Sequence, residues 1–91
     1  MIGMDFFMQL LKADGKCNIC GERICLARKQ AGLSQEKLAA RIQLAGHSLT
    51  QKAVSRTEAG KRVVPDYEIP LFAAALNVTP LWLLGIEQEG T

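Results

Sequence analysis

The chain has little of what enzyme sites are usually built from. Among 91 residues there is one histidine, one tryptophan, one tyrosine and three phenylalanines. It has no glycine-rich phosphate loop, and no pair of carboxylates can be placed together on one helical face. Nothing therefore argues for catalysis, and neither an enzyme activity nor a cofactor is expected. No segment alternates apolar and polar residues convincingly, so no strand is predicted. No apolar run is long enough to span a bilayer. The apolar start, Met1–Leu11, is interrupted by Asp5 and has no basic residues ahead of it, which makes it a poor signal peptide. A cytoplasmic protein with its three cysteines reduced is expected, with no membrane partner. An excess of one charge is also lacking. Eleven basic residues face nine acidic ones, for a net charge of +2, which by itself does not point to nucleic acid.

A chain of this length makes one compact domain. Hydrophobic residues are 48% of it, enough for a modest core. Small domains bury a smaller share of their surface than large ones, so dimerisation is a plausible further source of stability. Turn signals divide the chain into helical stretches. Met1–Lys12 carries Phe6, Phe7, Leu10 and Leu11 at near-helical spacing, and Ala13–Lys16 breaks it. A short docking helix and a disordered terminus are both compatible with this pattern. The next stretch, Gly21 to Gly32, has Glu22 at its start and Arg28 and Lys29 near its end, as the helix dipole favours. Ile24, Ala27 and Ala31 fall on one face. Ser34 is an N-cap type opening a helix to about Leu44, with Leu38, Ala39 and Ile42 as its apolar stripe. Thr50 opens a fourth stretch that stops at Gly60, with Ala53, Val54 and Thr57 inward. A fifth lies within Asp66–Leu76, with Phe72, Ala75 and Leu76 inward and Asn77 ending it. Pro70 is tolerable there only in the opening turn. The last is Pro80–Leu84, with Thr79 as N-cap and Gly85 as the stop. Residues 1–20 read as an extension, 21–85 as the domain and 86–91 as a tail.

The distribution of charge says more than its sum. Lys52, Arg56, Lys61 and Arg62 cluster against the single acid Glu58, while the tail carries Glu87 and Glu89 and no base. This is the electrostatic footprint expected of a DNA-binding face. Two short helices joined through a glycine-containing turn suit a helix-turn-helix. The outward face of the second shows Gln51, Lys52, Ser55 and Arg56. Glutamine suits the edge of adenine, and arginine and lysine suit guanine. Side chains near the start of such a helix reach deepest into the groove, and Gln51 and Lys52 stand there.

In these residues the sequence resembles the phage repressor/Cro-like (Xre-like) helix-turn-helix family. The matching string opens with Arg23-Ile24 and continues through Ala31-Gly32-Leu33-Ser34-Gln35-Glu36 and Leu38-Ala39. It then runs from Val54 to Arg62, through Ala75-Leu76-Asn77-Val78-Thr79-Pro80, to Trp82-Leu83-Leu84-Gly85, and so covers residues 22–85. The resemblance implies an all-α, five-helix repressor-like DNA-binding domain with an extra N-terminal segment and a recognition helix at about 50–59. It implies a transcriptional regulator of double-stranded DNA, a repressor acting as a homodimer. Gln35 would touch a phosphate and brace the recognition helix. Gln51, Lys52 and Arg56 would read bases, Thr50 and Ser55 would contact backbone or base edges, and Lys61 and Arg62 would reach phosphates. Glu58 would pair with Arg28 in a structural ion pair. The sequence departs from the family pattern in a longer segment at Gln43–Leu49, which either extends a helix or makes a longer turn, and in Ala59, where many members have asparagine.

Several residues fall outside this reading. Cys17-Asn18-Ile19-Cys20 is a CxxC, with Cys25 and His47 the remaining soft ligands. A zinc site needs four well-spaced ligands, and a redox CxxC needs a thioredoxin-like context. Neither is present, so no metal is expected. His47 is expected to face solvent. Phe6, Phe7 and Trp82 fit packing between the ends of the chain or a dimer surface equally well. The apolar N-terminal segment motivates an alternative, an antitoxin-like protein-interaction module that also binds DNA and has a protein partner.

Overall fold

The computed structural model describes residues 15–87, which form an all-helical domain without a strand. The segment Met1–Lys12, for which a short helix and a disordered terminus are both open, and most of the tail lie outside the described residues. Five helices follow one another: α1 Gly21–Gln30, α2 Gln35–Leu44, α3 Gln51–Glu58, α4 Glu68–Leu76 and α5 Pro80–Leu83.

The ends of these helices follow from local chemistry. The first amides of a helix lack intrahelical acceptors, and short hydroxyl side chains supply them. Ser34 accepts from the Lys37 amide at 3.0 Å, Thr50 from Ala53 at 3.1 Å and Thr79 from Trp82 at 3.1 Å. α1 is capped differently. Cys20 makes no side-chain cap, and Asn18 Oδ1 instead accepts from the Gly21 amide at 2.8 Å. Pro70 is the third residue of α4, where an amide has no helical partner to lose. Asn77, at φ 57°, ends α4 in the left-handed conformation.

One expectation is corrected. Ala31 is exposed instead of facing the core. Ala31 is the C-cap of α1, its amide still bonded to the Ala27 carbonyl at 2.9 Å, and the chain turns away beyond it through Gly32 at φ 71°. Cys20, just before α1, is a core residue at 1% exposure.

The long connection between α2 and α3 is a turn followed by an extended arm, not an extension of α2. Ala45 closes the helix and Gly46, at φ 96°, reverses the chain. The Gln43 side-chain amide then donates to the Leu49 carbonyl at 2.8 Å. Leu49 is 7% exposed and belongs to the core. It stands just before the Thr50 cap, while Val54, also in the core, stands four residues into α3. These are the positions of a hydrophobic staple, which sets the angle at which a chain enters a helix.

The core gathers Ile24 and Ala27 of α1, Leu38, Ala39 and Ile42 of α2, Val54 of α3, Phe72, Ala73 and Leu76 of α4, and Trp82 and Leu83 of α5. Ile24, Leu38, Phe72 and Leu83 are wholly buried. Each such side chain contributes about 1.5–3 kcal/mol of transfer free energy. α2 packs on α3 and α4, α4 on α5, and α1 crosses α3, α4 and α5. Trp82 is a packing residue: it is buried, and the Arg23 guanidinium lies 4.9 Å from its ring centroid. Phe6 and Phe7 lie outside the described residues.

Candidate functional site

α3 is held from one side and open on the other. Val54 and Thr57 are fully buried, at 0% exposure. Thr50, Gln51, Lys52 and Arg56 are exposed and Ser55 is half-buried. This division follows from helical periodicity, since residues three and four apart share a face. The sheltered face locks the helix to the core, and the free face presents amide, ammonium and guanidinium groups together.

A polar chain ties this helix to its neighbours. Arg28 donates twice to Glu58, from Nε at 2.6 Å and from Nη2 at 2.9 Å. The Gln35 side-chain amide donates to Glu58 Oε1 at 3.0 Å, and the Gln51 amide donates to Gln35 Oε1 at 3.1 Å. The four residues therefore link α1, the carboxyl end of α3, the start of α2 and the start of α3. The side chains of Arg28 and Glu58 are 11% and 6% exposed. A charge at that depth is tolerated only when paired and hydrogen-bonded. Burial pushes the Glu58 carboxyl up, but the hydrogen bonds from Arg28 and Gln35 outweigh it and hold it below its ordinary value. The same pair raises Arg28. Arg28 Nη1 also donates to the Leu33 carbonyl at 2.8 Å, which fixes the turn before α2.

The basic residues after α3 divide into two kinds. Lys61 is exposed. Arg56, also exposed, donates from Nη2 to the Lys61 carbonyl at 3.1 Å and so supports the turn that carries it. Arg62 is placed otherwise than expected. Its two terminal nitrogens meet Glu68 at 2.7 and 2.8 Å, and Nη1 also reaches Thr57 Oγ1 at 3.3 Å. Glu68 is buried at 6% exposure, so this fork-to-fork pair is structural, and it raises Arg62. Its guanidinium, expected to reach a phosphate, is thus engaged within the fold.

Sequence reasoning missed Asn18, Leu49 and Glu68. Asn18 donates to the Thr57 carbonyl at 3.0 Å and to the Arg62 carbonyl at 2.9 Å. A capping-type residue three positions before Gly21 was a legible signal for its acceptor role, but not for its donors. Leu49 could have been recognised as the staple residue before Thr50. No spacing rule connects Glu68 to Arg62.

His47 is exposed and borders a cleft of about 260 Å³ with Ser48, Thr50 and Tyr67, floored by Arg62 and Glu68. The cysteines are free and scattered: Cys17 is exposed, Cys25 half-buried and Cys20 buried, where desolvation pushes its thiol up. Cys25 lies 3.7 Å from Arg28 Nη2. Among the described residues no group of three or more His, Cys, Asp or Glu is placed to hold a metal ion. No described helix is long and apolar enough to cross a membrane.

A helix-turn-helix family model matches residues 26–83, more than half of the chain. No curated protein and no solved structure matches it.

Proposed function

The chain belongs to the phage repressor/Cro-like (Xre-like) helix-turn-helix family of DNA-binding regulators, and on that premise we propose that it represses transcription by binding specific double-stranded DNA. α3 enters the major groove. Gln51, Lys52 and Arg56 read base edges, Thr50 and Ser55 contact backbone or base edges, and Lys61 and Gln35 reach phosphates. The protein binds as a homodimer on two-fold half-sites and acts in the cytoplasm, with no catalytic step. One observation carries the reading. α3 buries Val54 and Thr57 completely while leaving Gln51, Lys52 and Arg56 exposed together.

Selection of bound DNA from a random pool, followed by a salt series on the selected sequence, tests this. A defined operator whose binding weakens steeply with salt is expected. Failure to enrich any sequence rejects specific recognition.

A second reading is favoured by the apolar run Met1–Leu11, which holds Phe6, Phe7, Leu10 and Leu11. It is an antitoxin-like module that binds a protein partner as well as DNA. A stoichiometric partner that is lost on deleting residues 1–12 supports it. A partner-free protein isolated from its native host counts against it.

A further inference from the structure

We infer that Asn18 is a positioning residue for this interface, holding the carboxyl end of α3 and the following turn so that Lys61 is presented to DNA. The inference rests on the DNA-binding reading above and adds a residue that lies before the helix-turn-helix itself.

Every polar atom of the Asn18 side chain is engaged. Oδ1 accepts from the first amide of α1 at 2.8 Å. Nδ2 donates to the Thr57 carbonyl at 3.0 Å and to the Arg62 carbonyl at 2.9 Å. The Thr57 carbonyl also accepts from the Gly60 amide at 3.0 Å, so Nδ2 takes its second lone pair, while the Arg62 carbonyl lies in the turn beyond the helix. The neighbouring backbone acts with it, since the Cys17 amide donates to the Gly60 carbonyl at 2.8 Å. Carbonyls 57, 60 and 62 are thus held by residues 17 and 18. They bracket Lys61, whose own amide donates to the Arg56 carbonyl at 2.9 Å.

The close approach that permits this is built into two glycines. A Cβ on Gly21 would stand 2.2 Å from the Thr57 carbonyl oxygen, an impossible contact with backbone. A Cβ on Gly60, which lies at φ 75°, would stand 2.8 Å from Lys16 Cγ. The strap of residues 16–18 and the start of α1 therefore rest directly on the end of α3. The opposite end of α3, where Gln51 stands, is held by the Thr50 cap and by Gln35. Asn18 accordingly acts on the turn that carries Lys61, and through the Lys61 carbonyl on Arg56, which donates to it at 3.1 Å.

The test is an Asn18→Ser variant of the full chain, whose hydroxyl can still cap the Gly21 amide but is too short to reach the two carbonyls, and which leaves the charge unchanged. An Asn18→Ala variant, which likewise adds no charge, serves if the first does not fold. Affinity for the selected operator and for random DNA is measured over a salt series, at a temperature where circular dichroism shows the variant folded. The expected result is a several-fold loss on both DNAs and a salt slope smaller by about one. Simple loss of stability would not move the slope of the folded protein. A folded variant with parental affinity and slope overturns the inference and leaves the DNA-binding reading intact. A parent that binds no DNA overturns both.

Discussion

The Gln51 side-chain amide donates to Gln35 Oε1 at 3.1 Å, joining the first residue of α3 to the first residue of α2. Gln35 in turn donates to Glu58, which Arg28 holds from α1. A side chain at the tip of α3 is thereby oriented by its neighbours. On the proposed DNA-binding reading, this orientation lowers the conformational entropy lost when that side chain meets a base.

The first expectation concerns this relay. Gln51→Ala and Lys52→Ala each weaken binding to the selected operator by about 1–3 kcal/mol and relax discrimination there. Gln35→Ala and Gln51→Ala are non-additive, with a coupling of about 0.5 kcal/mol or more in a double-mutant cycle on operator affinity. Strict additivity would show that the hydrogen bond does not prepare Gln51 for DNA.

Glu58 supports the fold. Glu58→Ala leaves the Arg28 charge buried without its partner and lowers unfolding free energy by about 3–5 kcal/mol in urea titration. A loss below 1 kcal/mol would show the pair to be solvated.

The same carboxylate sets a pH dependence. Its pKa is lowered in the folded state, so the unfolded chain binds a proton more readily. Its contribution is present above the ordinary carboxyl value of 4.5 and is lost as pH falls through the lower folded value. The urea midpoint of the parent is expected to drop on acidification below that point, and that of Glu58→Gln to drop less. Parallel curves for the two proteins would contradict the assignment.

Lys61 and Arg62 are adjacent but separable. Lys61→Ala reduces the salt slope of DNA binding by about one and leaves thermal stability within about 0.5 kcal/mol. Arg62→Ala leaves Glu68 buried and unpaired, so stability falls by several times that amount. Equal effects of the two substitutions on both measurements would refute the division of roles.

Gly21→Ala tests the contact between α1 and α3. Thr57's carbonyl belongs to helix backbone and cannot rotate aside, so the new methyl group forces the helices apart. A loss of at least about 1–3 kcal/mol is expected in denaturant unfolding, against the gain that alanine brings to an unconstrained helix. A neutral or stabilising result would mean that the two helices do not meet there.

Much of the architecture is legible in short-range pattern. Ser34, Thr50 and Thr79 each announce a helix, because a hydroxyl two or three residues from an unpaired amide needs only local geometry to bond it. Leu38, Ala39 and Ile42, and Val54 with Thr57, mark inward faces through spacing alone. The exposed set Gln51, Lys52 and Arg56 follows from the same spacing, since whatever is not inward on α3 is outward. Ala31 escaped this reasoning because spacing fixes a face of the helix but not whether another element covers that face at its last turn.

The alphabet and spacing of the chain thus determined its helices, their caps, the two faces of α3 and the clustering of positive charge beside it. Tertiary structure alone decided which of those charges remain available. Arg62 and Lys61 are chemically similar neighbours in sequence, yet Arg62 faces a buried Glu68 and Lys61 faces solvent. It also decided the setting of α3, through Leu49 in the core beneath the long connection and Asn18 across the far end. The reason is one of range. Caps and periodic faces are set by bonds and angles within a turn or two. Asn18 meets residues about forty positions away, and only the packing of α1 against α3 brings such partners within hydrogen-bond distance.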